Sequence, residues 1–410
     1  MFDRIAGFFR SLTGYSKPFW IANLSELLER TAFYGSSAML VVYMTKTRGI
    51  DEAAALKLNG NLVLLVYGLP VLSGVVADLL GYRRALMLAY ALLTAGYFLV
   101  GQMTTYWTIA GSLILVALGA SLIKPTITGT VQKTTDKSQS ALGFSIYYTL
   151  VNVGGMVGNA MGGQIADRAG VEKVYLVCAS VVAAALVLVA LLFREPANVA
   201  ATERKSLAGF GRDFVGVVRN WRLDALFLCA AGFWSLFFLL YGPLTTYVTD
   251  DIGASKATLG ALLSIESLAV VCLQVIVGYL TSKMQPARAV LLAVVLATGG
   301  IALFGVAPSV YLVAAGVLVV AAGEIVYSAH FYKYLGDMAP PDAVGMYMGF
   351  AFLPIALGGF FAGQLGAALT PFFRETLQRP QLMWFAFAGV GAAAAVGIAL
   401  VSALSRGKKS

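Results

Sequence analysis

Histidine occurs once in this 410-residue chain and cysteine three times, and no two cysteines stand at a metal-ligand or redox spacing. One histidine leaves almost nothing for a nucleophile–histidine pair or a histidine-bound metal, and no nucleotide-binding glycine loop occurs. Charged residues are also scarce, at 12%, against about 25% in soluble domains. The longest polar stretch, Arg194 to Arg222, is too short for a soluble catalytic or output domain. An enzyme is therefore not expected, and neither is a metal or organic cofactor. A receptor that binds without moving its ligand is disfavoured for the same want of an output domain. Cys178, Cys229 and Cys272 each fall in an apolar run and read as small packing residues.

What remains is apolar. Hydrophobic residues make up 59% and the mean hydropathy is +0.81, outside the globular range. Twelve apolar segments are legible, at about 19–45, 55–79, 83–102, 106–131, 140–166, 171–193, 223–249, 257–281, 287–306, 308–336, 343–371 and 381–405. Each is long enough to cross a ~30 Å hydrocarbon core. With both termini cytoplasmic, 19 Lys and Arg lie inside and 8 outside, and Arg30 and Lys124 fall within segments. The positive-inside rule selects that topology, in a plasma membrane and most simply a bacterial inner membrane. The net charge of +9 thus reports orientation in a lipid bilayer rather than a nucleic-acid partner. Met1 to Lys17 has no continuous apolar core, so a cleaved signal is not expected. Phe2, Ile5, Phe9 and Leu12 are spaced for a short helix on the membrane surface.

Three charges interrupt the first segment: Glu26, Glu29 and Arg30. An ionisable group at that depth costs at least ~2.5 kcal/mol and persists where it faces protein or a wet cavity. At 100° per residue these three share one side of a helix with Phe33, Tyr34 and Ser37. That side lines a polar path, which points to transport. Lys124 in the fourth segment adds a second buried cation. Two carboxylates and two cations in one low-dielectric space must share protons and contacts. Protonating one acid frees a cation and biases which face closes. Tyr148, Asn152, Gly155 and Asn159 form a further polar, small-residue stripe. Glu266 lies mid-depth in the eighth segment and should pair with a cation or carry a proton. His330 reads as a polar cap.

The chain divides into residues 1–193, a connection 194–222 and residues 223–410. Within the connection, Leu207, Phe210, Phe214, Val217, Val218 and Trp221 form one apolar stripe opposite Arg212, Asp213 and Arg219. That pattern predicts an amphipathic helix lying on the membrane. An offset of 204 residues places Gly74 on Gly278, Arg84 on Arg288, Gly119 on Gly323, Lys124 on Ser328 and Arg30 on Trp234. Repeated halves with a midplane site between them are a recurring transporter plan.

Two sets of residues carry a family resemblance. Gly74, Asp78, Gly81, Arg83 and Arg84 resemble the loop signature of the major facilitator superfamily, in which an acid and arginines gate the cytoplasmic side. Glu26, Glu29, Arg30, Tyr34 and Gly35 resemble the ExxERFxYYG signature of the proton-dependent oligopeptide transporter family. Tyr67 with Pro70, Lys124-Pro125, Tyr147-Tyr148 with Asn152 and Gly154, Phe233-Trp234, and Glu324 with Ser328 fit the same family. The resemblance implies an all-α membrane protein with two six-helix bundles around a central cavity, expected to be a monomer.

It also implies roles. Glu26, Glu29, Arg30 and Lys124 would couple protons, with Lys124 as the paired cation. Arg30 and Lys124 would meet a substrate carboxylate and Glu324 its amine, while Phe33, Tyr34, Tyr67, Asn152, Trp234 and Ser328 would line the pocket. Glu266, which the family pattern does not contain, joins them as a replacement acid. The resemblance departs at Thr31 and Phe33, at Phe238 where the family has an acid, at Leu239, and at Ala351 where it has a tryptophan. A roomier, less polar pocket is expected. The implied function is import of a small peptide or peptide-like zwitterion, driven by the proton gradient. A proton-driven exporter is the alternative, because Gly154, Gly158, Asn159, Gly162 and Gly163 resemble the antiporter signature GxxxGPxxGG with Asn159 replacing its proline.

Overall fold

A computed structural model describes residues 14–136, 139–196, 221–338 and 350–406, and those residues contain no strand. The connection 197–220, the N-terminal residues 1–13 and Met348 with Gly349 lie outside them, so the two surface-helix expectations fall there too. Twelve helical rods are present among the described residues: α1 Lys17–Val42, α2 Glu52–Gly68 and Pro70–Leu80, α3 Tyr82–Gln102, α4 Tyr106–Thr134, α5 Ser140–Ala169, α6 Val171–Leu192, α7 Trp221–Phe238 continued by Pro243–Thr246, α8 Lys256–Thr281, α9 Pro286–Phe304, α10 Val310–Met338, α11 Leu353–Pro371 and α12 Met383–Arg406. Nine of these rods are long and apolar enough to cross a membrane, and α2, bent at Pro70, makes a tenth. The two that fall short are informative. Every 18-residue window of α1 contains Glu26, Glu29 and Arg30, and α5 is diluted by six glycines, Asn152 and Asn159. Both line the site described below. The molecule is an integral membrane protein.

The halves are built alike. In the first, α1 packs on α5 and α6, α3 on α4 and α6, and α2 on α4. In the second, α7 packs on α11 and α12, α9 on α10 and α12, and α8 on α10. Moving Tyr106–Thr134 by 204 residues gives Val310–Met338, and moving Lys17–Val42 reaches Trp221–Thr246. Between halves the main contacts are α2 with α11 and α5 with α8, which the same shift interchanges.

Both seams need glycine because backbones meet there. A Cβ on Gly363 of α11 would come 2.7 Å from Gly60 Cα of α2, and one on Gly163 of α5 would come 2.9 Å from Gly260 Cα of α8. At the same end of the molecule two ionic contacts cross between halves. Lys46 bonds Asp250 at 2.8 Å, and Arg374 pairs with Glu52 across the boundary and with Asp251 at 2.6 Å in its own half. These seal the end away from the Gly81 loop.

Candidate functional site

Between the halves lies a cavity of about 280 Å³. The first half contributes Phe33, Tyr34, Tyr67, Lys124, Tyr147, Tyr148 and Asn152 to its walls, and the second Trp234, Phe238, Tyr241, Gln274, Glu324, Ser328 and Phe352. Its rim on the Gly81 side is open, where Tyr148, Gln274 and Ala329 are exposed.

Lys124 lines the cavity from α4, a rod that Thr105 caps and that runs unbroken through Pro125. Its ammonium sits 5.4 Å from the Tyr67 ring centre and 5.6 Å from that of Phe352. No carboxylate of the described residues lies within 4 Å of it, so the expected ion pair with Glu26 or Glu29 is absent. The aromatic faces supply part of the lost solvation.

Arg30 is the second correction. It does not line the cavity but is 1% exposed behind it, and the Phe33 ring stands 4.7 Å from its guanidinium carbon. Glu29 accepts from Arg30 Nε at 2.5 Å and Nη2 at 2.7 Å, a two-pronged pair between adjacent residues. Glu26 lies 3.6 Å from the same guanidinium and accepts from Tyr147 Oη at 3.4 Å. Its other oxygen is buried without a donor. Gly154 admits this packing, since a Cβ there would come 2.7 Å from Arg30 Cβ.

On the facing side, Trp234 Nε1 and Glu324 Oε2 are both buried without a hydrogen-bond partner. Trp234 packs against Phe237, Phe238 and Tyr327, at centroid distances of 5.3, 6.1 and 5.6 Å. Phe238, where the family has an acid, faces the Tyr67 ring at 5.9 Å. Glu266 is a third correction, because it is 2% exposed, does not line the cavity, and accepts from Ser267 Oγ at 2.8 Å. Ser328 and Asn152 do line it, and the Asn152 amide donates to Tyr148 O at 2.9 Å.

The Gly81 loop departs from expectation as well. Gly81 has φ +80°, a conformation that suits glycine. The acid that caps α3 is Glu195, accepting from Tyr82 N at 2.6 Å and Arg83 N at 2.9 Å, while Arg83 Nη2 donates to Ala190 O at 2.6 Å. Asp78 and Arg84 are exposed. Ala190 belongs to the first half and Glu195 to the start of the connection, and no hydrogen bond or ion pair among the described residues ties the loop to the second half. His330 Nε2 lies 2.9 Å from Thr281 O at the end of α8, a capping contact.

Sequence reasoning gave no role to Tyr147, Tyr241, Gln274 or Phe352. Tyr147 stood in a quoted motif. The others had only aromatic or amide character inside apolar runs, which is as common in plain packing.

Helical rods in two like halves around a central cavity are an architecture that recurs in membrane transporters. The chain belongs to the Major Facilitator Superfamily, matching it over residues 22–363 and 225–409. It is 31% identical over 176 residues to "Dipeptide and tripeptide permease B" of Aliivibrio fischeri (strain MJ11), covering 41% of this chain and 35% of that protein. It is 32% identical over 183 residues to the permease B of Photorhabdus asymbiotica, covering 44% and 37%. The chain thus spans little more than a third of the length of these curated relatives. Among solved structures it is similar to a peptide transporter POT bound to sulfate, with TM-score 0.81, 19% identity, and 95% and 94% of the two chains covered. It is also similar to a POT family transporter bound to 5-aminolevulinic acid, with TM-score 0.80, 18% identity, and 97% and 99% covered. At such identities the structural likeness speaks for the fold.

Proposed function

We propose that this chain is a divergent proton-dependent oligopeptide transporter, a symporter that imports a small peptide or peptide-like zwitterion by alternating access. One observation carries the reading. The cavity presents an ammonium without a carboxylate partner, Lys124, on one half and a carboxylate oxygen without a donor, on Glu324, on the other. A zwitterion satisfies both at once and bridges the halves. The Trp234 indole N–H offers a second donor to a peptide carbonyl or carboxylate. Aromatic walls accept an apolar side chain without naming it.

Arg30, Glu29 and Glu26 sit one layer behind. Protonating Glu29 leaves the guanidinium without its two-pronged partner and free to reorient toward Tyr67 and the cavity, which links proton uptake to substrate binding. We place both termini and the Gly81 loop in the cytoplasm of a bacterial inner membrane, with the chain a monomer. The cavity then opens inward and the sealed end faces out. The glycine run of α5 does not argue for export, because Gly154 and Gly163 are used in packing against α1 and α8.

Reconstituted in liposomes, the chain is expected to accumulate an alanyl dipeptide when an inward proton gradient is imposed and to stop when an ionophore collapses it. N-acetylation and C-amidation should each weaken binding about tenfold or more, the loss of one charge-assisted hydrogen bond. Uptake indifferent to the gradient, or equal affinity for blocked and free dipeptides, overturns the reading.

A further inference from the structure

Glu266 of α8 and Glu324 of α10 face each other within hydrogen-bonding reach. One side of Glu266 is fixed by the Ser267 hydroxyl at 2.8 Å. Glu324 Oε2 is buried, and no N–H or O–H of the described residues donates to it. Two carboxylates this close and out of water do not both stay ionised. A single proton between them also supplies the donor that the orphaned oxygen lacks. The titratable groups facing the pair are Tyr34 of α1 and Tyr241 of α7 toward Glu266, and Lys124 of α4 with Tyr67 of α2 toward Glu324. Only Lys124 among them is a cation, and it lies on the Glu324 side.

We propose that Glu266 and Glu324 form a second proton site, a carboxyl pair that holds one proton and yields Glu324 to a substrate ammonium when the cavity fills. In the empty cavity the proton is bonded to one carboxyl and donated to the other. The geometry does not favour one carboxyl over the other, so the pair shares the proton. An arriving ammonium pairs with Glu324 as a carboxylate and leaves the shared proton on Glu266. Solute and proton then occupy the site together, with no proton expelled.

The pair also adjoins a seam between halves. A Cβ on Gly155 of α5 would come 2.8 Å from Ser267 Oγ, and Asn159 of α5 donates to Tyr241 Oη at 3.1 Å and Leu263 O at 3.2 Å. Parting α5 from α8 therefore admits outside water beside Glu266, from which the two solvated carboxylates take up a proton. The pair loads when the seam parts toward the outside, and discharges through the inward-open cavity once the seam is shut.

The role of the ammonium rests on the zwitterion reading above, whereas the shared proton does not. Infrared difference spectroscopy of the full chain in lipid nanodiscs separates the two. At neutral pH the wild type should show a carboxylic-acid C=O band that Glu266→Gln removes and Glu266→Asp restores. An alanyl dipeptide should shift the band without reducing it. Identical carboxylic-acid regions in wild type and Glu266→Gln overturn the proton site, whether or not the protein transports. A band present but unmoved by dipeptide overturns the hand-over to substrate alone. Should Glu266→Gln fail to fold, Glu324→Gln carries the test. The remaining Glu266 then loses its carboxylate partner, and the wild-type band must vanish or move, while an unmoved band refutes the pairing.

Discussion

Arg30 and Lys124 are both cations inside apolar helices, yet their surroundings assign them different work. Arg30 is held by Glu29 through two hydrogen bonds and by Glu26 at 3.6 Å, so it is neutralised before any substrate arrives. Lys124 has only aromatic faces, at 5.4 and 5.6 Å, and stays available. Lys124→Gln is therefore expected to weaken dipeptide binding by ~10–100-fold, the worth of one hydrogen bond to a charged group, as titration calorimetry would read. Trp234→Phe keeps the ring packing and removes only the N–H, so about fivefold is expected. If Lys124→Gln binds as the wild type does, the carboxylate end of the substrate lies elsewhere. Glu29→Gln separates coupling from binding. It should cut gradient-driven uptake at least tenfold while exchange at equal pH on both sides persists. Near-normal gradient-driven uptake would show that protons enter by another group.

At the scale of elements, the wide helical turns stand out. Tyr43–Thr47 ends the α1 rod and Tyr247–Asp251 ends the α7 rod, and both are π-helical. The 204-residue shift carries one onto the other and takes Lys46 to Asp250, which bond each other across the pseudo-twofold. A third such turn, Phe372–Thr376, carries Arg374. A π turn adds a residue to the ring and turns the side chains that follow, and such turns gather at functional sites. Here all three aim charges at the boundary between halves. The seams beneath them tolerate no side chain. Gly163→Leu should clash with Gly260 only while α5 and α8 are closed at that end. Overpacking of this kind costs ~1–3 kcal/mol, which moves the balance toward the opposite-facing state by about 5- to 150-fold. Cysteine substituted for Ser37 in the cavity, with the native cysteines replaced, should then react faster with an impermeant thiol reagent from the Lys46 side. Unchanged labelling in a well-folded variant would mean that this seam does not open in the cycle.

Over the whole molecule the observed state is set by a balance between two ends. At one, Arg374 joins Glu52 and Asp251, and Lys46 joins Asp250. At the other, the Gly81 loop is fastened to Ala190 of its own half and to Glu195 at the start of the connection. The Arg374 cluster is about four-fifths buried, so Arg374→Gln should relax the sealed end by ~1–2 kcal/mol, more than an exposed pair would give. Lys46 is half exposed and salt should screen its contribution. The same Ser37→Cys labelling reads both changes. Arg374→Gln should raise reactivity from the sealed side several-fold at any ionic strength, whereas Lys46→Gln should matter only at low salt.

The apolar runs and the three charges in α1 carried the fold, the repeat and most of the cavity lining, because a bilayer forces helices and permits buried charge only toward protein. Phe33, Tyr34, Tyr67, Lys124, Asn152, Trp234, Glu324 and Ser328 are at the cavity for that reason. Which charges pair with which was not legible. Helical periodicity fixes the side on which Arg30 lies, but not whether its long side chain reaches forward to the cavity or back to Glu29. Glu266 was recognisable as buried, and only the packing of α8 on α10 set it against Glu324 rather than a cation. Asp78 carried the signature of a gate, while the α3 cap came from Glu195, more than a hundred residues away in sequence. Depth and side follow from local rules of length and period. Partnership depends on distances between helices far apart in the chain, and those exist only once the halves have packed.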